Sequence, residues 1–289
     1  MTALGTLGLR DRAFVYGFDE IDASCEPSVR ALFSAAKAAF PGLRTMSAID
    51  WATVPLDMPL DVWVIMYQLV NTTTASAWVN AGHEIWTYHC IEPSGAGYLN
   101  TFVERQLIEA RLLFWFDWQL GVTGHLYYDV ALWASWSSVP PFWTDYTTQS
   151  GVSFALPPLP IGPRALGPAD DPRLTMWDPA NWIWAPRTDI WANGDGQFVY
   201  PGSVDGATRV GTPISSLRFE TQRDGVEDWH VLAEAAAVDA ASTEQLVRTR
   251  VSAPTTWSND AVALEAARRA AAAIAMGASR SAGAANKGH

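Results

Sequence analysis

Short apolar runs alternate along the chain with longer segments whose apolar positions recur at helical spacing. The run Phe14-Val15-Tyr16-Gly17-Phe18-Asp19-Glu20 is aromatic and β-branched, and it ends on adjacent carboxylates. It reads as a buried strand delivering acids to its carboxyl end. Residues 27 to 40 follow with Val29, Leu32, Phe33, Ala36 and Phe40 on one helical face, and Pro41-Gly42 stops that helix. Strands are then expected over residues 43 to 48, running into Ile49-Asp50-Trp51, and over 61 to 67, with Tyr67 and Gln68 at the exit. A helix over 73 to 81 separates the latter from a strand at 84 to 91, which breaks at Glu92-Pro93. A long apolar helix over 99 to 120 ends at Gly121 and Gly124, and His125 to Trp133 forms the next strand. Strand and helix alternate throughout, the grammar of a parallel α/β sheet, closed or open.

Residues 134 to 195 break the pattern. They are dense in Trp, Pro and Gly, and too long for an ordinary connection, so a functional excursion or lid is expected there. Residues 194 to 202 hold a short strand between turns. A helix over 213 to 237, capped by Ser215 or Ser216, has Gly225 as its weak position. A last helix spans 254 to 276, starting near Ser258, and the small, polar tail from 277 to 289 is expected to be disordered.

With 289 residues of which 49% are hydrophobic, the chain can bury a sizeable core. A formal net charge of -11 argues against nucleic-acid backbones and anionic membrane surfaces as partners and favours a neutral ligand. No run reaches the length of a membrane span, and no basic start followed by an apolar stretch opens the chain, so a soluble protein without a signal peptide is expected, its compartment undetermined. Cys25 and Cys90 make no disulfide framework. Fifteen tryptophans are many, and an indole is a flat apolar surface on which a sugar ring packs.

Asp19 and Glu20 are the first catalytic candidates. Acid pairs also occur at Asp170-Asp171 and Glu227-Asp228, so position is what singles this pair out. A buried strand finishes on charges when they face a solvated cleft or cap the next helix, and Asp22 or Ser24 before Pro27 can serve as caps. A metal centre built from His83, Glu84, His89, Glu92 and His125 competes. His83 and His89 share a strand face, but six residues at a rise of about 3.3 Å separate them by roughly 20 Å, too far for one ion. No Gly-rich loop with phosphate-binding spacing opens a helix. Arg223, Asp224, Glu227 and Asp228 suit ion pairs on the outer face of a helix.

Several stretches together resemble the catalytic domain of glycoside hydrolase family 123 and its related domains of unknown function. They are Tyr16 to Glu20; Trp86-Thr87-Tyr88-His89-Cys90 with Glu92-Pro93; Glu109 to Trp115; Gly124 to Trp133; Gly194-Asp195-Gly196 with Tyr200-Pro201-Gly202; and Ser216 to Glu220 leading to Arg223 to Asp228. The likeness runs from about residue 13 to residue 232. Two departures stand out: Tyr128 where the family often has Trp, and Ile21 where Pro is expected after the acids.

The resemblance implies a TIM-type (β/α)8 barrel of which residues 1 to 250 hold only the C-terminal part, about strands 4 to 8, with the 134 to 195 excursion inserted. It implies an exo-acting, retaining β-N-acetylgalactosaminidase that uses the 2-acetamido group of its substrate as nucleophile, without metal or cofactor. Asp19 would orient the acetamido nitrogen and Glu20 would serve as acid and then base. Its partner would be a glycan or glycolipid ending in β-linked N-acetylgalactosamine. Tyr67, His89, Tyr128, Asp129 and Trp133, at or near later strand exits, are the expected sugar contacts, with core packing the competing role for each aromatic. Asp129 stands out as a charge inside an apolar strand, and a sugar hydroxyl is a natural partner for it. The competing function is a catalytically impaired relative that binds carbohydrate.

Overall fold

The computed structural model describes residues 2–93, 97–103, 105–130, 194–196, 198–200 and 213–285. After a short helix α1 (Thr2–Thr6) come β1 (Phe14–Ile21), α2 (Glu26–Ala39), β2 (Arg44–Ile49), β3 (Val62–Met66), α3 (Thr72–Asn80), β4 (Glu84–His89), α4 (Leu107–Leu120) and β5 (Gly124–Tyr127). The five strands form one sheet in the order β1-β2-β3-β4-β5. Every neighbouring pair in it is parallel. Beyond it lie the hairpin of β6 (Val199–Tyr200) with β7 (Ile214–Ser215), helices α5 (Leu217–Val238) and α6 (Ala240–Arg248), the hairpin of β8 (Val251–Ala253) with β9 (Thr256–Trp257), and α7 (Ala261–Ala285).

The central strand β3 is apolar throughout because both its faces are covered: Val62, Trp63, Val64 and Ile65 have no exposed surface. Alternation sorts them. Met46, Ala48, Val62, Val64, Met66 and Tyr88 pack together on one face. Ile49, Trp63, Ile65 and Ile85 join the larger core on the other, with Trp115 and Phe116 of α4.

Local chemistry sets the boundaries. Asn71 starts α3 by accepting from the Thr73 and Thr74 amides, both at 3.0 Å, while its own amide donates to the Thr74 hydroxyl. Asp22 accepts from the Ser24 amide at 2.7 Å and so caps the turn that leads into α2. The acids at 19 and 20 are thereby left out of capping. Ser216 caps α5 through the Phe219 amide.

Helix α4 begins at Leu107, not near 99, because Gln106 and Glu109 form a capping box there and Asn100 is committed elsewhere, its amide nitrogen donating to the Cys90 and Pro93 carbonyls. Strand β5 ends at Tyr127, well short of 133. Residues 131 to 193 lie outside the described residues, and with them Trp133 and nearly all of the Trp-rich excursion. The expected buried first strand is an edge strand: with β2 as its one neighbour among the described residues, it leaves Phe14, Val15 and Tyr16 about two-fifths exposed. Helix α7 starts at Ala261, after Asp260 has accepted from the Ala263 amide, and it continues to Ala285.

Helix α5 locks onto α4 and α7 through a buried acid. Asp228 is fully buried and accepts from Arg111 at 2.5 and 3.0 Å, from the Trp115 indole at 2.8 Å and from Arg268 at 2.7 Å. Arg223, by contrast, pairs with Glu220, Asp224 and Glu227 on the exposed face. Gly225 permits the close approach of α5 to α4: a Cβ there would lie 2.5 Å from Phe114 and 3.0 Å from the Arg111 carbonyl.

Candidate active site

A cleft of about 460 Å³ opens at the carboxyl ends of the strands. Strand β1 contributes Tyr16, Asp19 and Glu20 to it, β2 contributes Ala48, β4 and its exit contribute Tyr88 and Cys90, and the end of β5 contributes Leu126, Tyr127 and Tyr128. Adjacent residues on a regular strand point to opposite faces, yet Asp19 and Glu20 line the same space. The register explains it. Phe18 pairs with Ser47 and Ile21 with Ile49, so Asp19 and Glu20 together stand opposite Ala48 alone. This is a β-bulge, and Glu20 takes the left-handed conformation that it requires, with φ of 46°. A non-glycine residue in that region carries backbone strain of about 1–3 kcal/mol, which concentrates at functional sites.

Hydroxyls hold both carboxylates. The Tyr16 hydroxyl donates to Asp19 Oδ1 at 2.6 Å, and the Tyr88 hydroxyl donates to Glu20 Oε1 at 3.3 Å. Burial pushes the Glu20 carboxyl above its ordinary value, the charges of Asp19 and Asp50 add to the rise, and the Tyr88 hydrogen bond opposes it. Cys90 is a thiol, not a nucleophile, here: burial and the nearby Asp195, Glu20 and Glu92 push it up to about 12.

Tyr127 and Tyr128 are tied together by Asp195, which is almost fully buried and accepts from both hydroxyls at 2.9 Å. Arg218 supports the turn that carries Asp195. Its Nη1 donates to the Gly194 carbonyl at 2.8 Å and to the Thr101 carbonyl at 2.9 Å.

Of the expected sugar contacts, Tyr128 lines the cleft and three others, His89, Tyr67 and Asp129, do not. His89 lies between Tyr88 and Cys90, so alternation turns it to the helix side, where it is fully buried. Its Nδ1 meets His125 Nε2 at 2.8 Å, His125 Nδ1 meets Asp117 at 2.8 Å, and His89 Nε2 meets the Thr101 hydroxyl at 2.9 Å. Asp117 ends this run of contacts and also accepts from the Thr87 hydroxyl at 2.6 Å. Tyr67, one residue beyond Met66, turns to the helix side in the same manner and packs on Phe116 with ring centroids 5.5 Å apart. Its hydroxyl is buried without a partner among the described residues. Asp129 lies half-buried beyond the end of β5, outside the cleft lining, so it is not a charge within a strand. Trp133 lies outside the described residues.

Tyr16, Tyr88, Tyr127, Asp195 and Arg218 were not among the residues expected to form the site. Counting the alternation back from Ala48 through Tyr88 to Leu126 gives the cleft face of β2, β4 and β5. On that face Tyr88, not His89, meets the cleft.

Among the described residues no group of three or more His, Cys, Asp or Glu is placed to hold a metal ion. His89 and His125 do meet, but Glu84 is drawn off to Arg44. His83 binds the Leu56 carbonyl at 2.7 Å. No described helix is long and apolar enough to cross a membrane.

The sequence model of the glycoside hydrolase 123 catalytic domain matches residues 19–235. The chain belongs to glycoside hydrolase family 123. Comparison with curated proteins finds no match. Among solved structures, the fold is similar to a family 123 glycoside hydrolase from Clostridium perfringens that was analysed for glycolipid glycan hydrolysis, with a TM-score of 0.51 and 16% identity. The likeness covers 95% of this chain and 42% of that one. At this identity it concerns the parallel α/β fold. The family 123 match begins on Asp19, so the bulge acids lie inside it.

Proposed function

We propose that this family 123 domain is a retaining glycosidase that removes terminal β-linked N-acetylgalactosamine from glycans or glycolipids with help from the 2-acetamido group of the substrate. In this reading the five-stranded sheet is the C-terminal part of a (β/α)8 barrel, with its acids at the strand exits where barrel enzymes hold their chemistry. The observation that carries it is the bulge that turns Asp19 and Glu20 into one cleft.

A glycosidic oxygen leaves poorly unless it is protonated, so one carboxyl must be neutral before reaction. Glu20 is that acid: burial and the neighbouring Asp19 both favour its protonated form. As Glu20 gives its proton to the glycosidic oxygen, the acetamido oxygen attacks the anomeric carbon, the bond to the aglycone breaks, and the aglycone leaves as an alcohol. Asp19, held by Tyr16, accepts from the acetamido N–H and stabilises the positive charge of the oxazolinium ring. Glu20, now ionised, takes a proton from water as that water opens the ring, and configuration at the anomeric carbon is retained. No protein nucleophile is needed, so the carboxyl spacing of ordinary retaining enzymes does not apply.

Release of nitrophenol from an aryl 2-acetamido-2-deoxy-β-D-galactopyranoside tests the assignment, with wild type and Glu20→Gln compared. Turnover that is lost in the variant while saccharide binding persists supports the acid role. A folded wild-type protein that binds the sugar without turning it over would make the chain a carbohydrate-binding relative.

A further inference from the structure

We propose that Asp195 is the positioning residue of the sugar site, clamping Tyr127 and Tyr128 into one wall of the cleft and fixing the polarity of their hydroxyls. The inference rests on the hexosaminidase reading above and deepens it.

Tyr127 is the last residue of β5 and Tyr128 the first beyond it, so strand geometry alone does not hold the rings together. They converge because one carboxylate takes both, Oδ1 accepting from Tyr127 and Oδ2 from Tyr128, each at 2.9 Å. The Gly196 amide donates to the Tyr127 oxygen at 2.7 Å, so the clamp is closed from both sides of Asp195. Its position is fixed by backbone as well. Gly194 has φ of 80°, and a Cβ on it would lie 2.6 Å from Arg218, whose guanidinium stacks over Phe198 at 5.2 Å. The Tyr127 ring in turn packs on Phe198 at 4.4 Å and His89 at 4.7 Å. That stack puts the buried His89 chain directly behind the wall.

The consequence is chemical as well as steric. A phenol has one hydrogen to give. With that hydrogen committed to Asp195, Tyr128 offers a ligand lone pairs alone, so it accepts from a sugar hydroxyl or N–H and cannot donate to a carbonyl. Asp195 thereby selects which group of the sugar turns toward this wall, across the cleft from Glu20. It does so without touching the sugar.

The test is a double-mutant cycle on kcat and KM with the aryl galactosaminide, using Asp195→Asn, Tyr128→Phe and the pair. Asp195→Asn is isosteric and gives one phenol a donor in place of an acceptor. We expect kcat/KM to fall about 10- to 100-fold, as small misplacements of bound groups do. Most of the loss should appear in KM, and the loss from Asp195→Asn should shrink when Tyr128 is already Phe. Asp195→Glu, which keeps the charge but lengthens the arm, should recover part of it. An activity-independent readout accompanies these: Asp195→Asn should let a tyrosine ionise at lower pH in an alkaline absorbance titration, because the carboxylate that opposes tyrosinate is gone. Wild-type kcat and KM in Asp195→Asn, or fully additive losses in the cycle, would overturn the inference alone. A wild-type protein that neither turns over nor binds N-acetylgalactosamine overturns the parent reading and this inference with it.

Discussion

Tyr88 reaches Glu20 from across three strand pairings, its hydroxyl donating to the carboxyl that burial has already pushed up. The bond favours the ionised form of Glu20, so it works against the acid role we propose for that residue and would tune it. As pH rises through the folded value, Glu20 loses its proton and the rate must fall. Tyr88→Phe removes the stabilisation of the anion, raises the Glu20 value further, and moves the alkaline limb of the kcat/KM profile to higher pH. Asp50→Asn removes a negative charge that raises Glu20 and moves the same limb to lower pH. Opposite displacements by the two variants in a pH-rate series are the expected result, and displacement in one direction by both would refute this account of Glu20.

The alternation of strand and helix is legible in sequence because fully covered strands such as Val62–Met66 admit little but apolar residues. The acids were legible for a related reason, as charges at the exit of an apolar run. What was not legible was which face they take. The bulge at Asp19 and Glu20 breaks the period, so the dyad gives no parity from which to count, and His89 and Tyr67 look as exposed to a ligand as Tyr88 does. Asp195 was hidden differently. It lies far along the chain from Tyr127 and Tyr128, and only the fold joins them. Helix α6 and the hairpin of β8 and β9 are short, and they pack on α5 and α4.

Asp228 should be the costliest acid to remove outside the cleft. It satisfies Arg111, Arg268 and the Trp115 indole at once, and it has no exposed surface. Replacing one partner of a buried ion pair typically costs about 3–5 kcal/mol, because the surviving charge stays buried. The lower end is expected for Asp228→Asn, since Arg268 is one-third exposed and can turn to water. Urea unfolding of the wild type and Asp228→Asn measures it. A change under about 0.5 kcal/mol, the scale of an ordinary surface substitution, would show that the acid does not hold α5 to α4 and α7.

Gly225→Ala sets helix propensity against packing. Alanine in the middle of α5 should gain about 1 kcal/mol over glycine. Its methyl, however, meets Phe114 at 2.5 Å and the Arg111 carbonyl at 3.0 Å, and the second neighbour is backbone that cannot swing aside. Overpacking of this kind costs about 1–3 kcal/mol, so the net effect should be a loss of stability. A lower melting temperature for Gly225→Ala is the expected outcome. A rise would mean that α4 and α5 part without cost.

His89 links stability to pH. Burial, with the charge of His125 beside it, holds its value well below that of free histidine. The unfolded chain therefore binds a proton at about pH 6.5 that the folded chain refuses, and folding is favoured fully above that value. As pH falls from about 7 to about 5, the unfolded state gains that proton and stability drops, continuing down toward the folded value. Glu20 and Glu109, whose values burial raises, act in the opposite sense as pH falls, but they are common to wild type and variant, so the comparison of slopes isolates His89. Replacing His89 with Gln removes the group and should flatten the decline, whatever it does to stability at neutral pH from the loss of its bonds to His125 and Thr101. Urea unfolding free energies at both ends of the window, for wild type and His89→Gln, give the two slopes. Equal slopes would place the proton uptake elsewhere and make His89 titrate alike in the folded and unfolded chain.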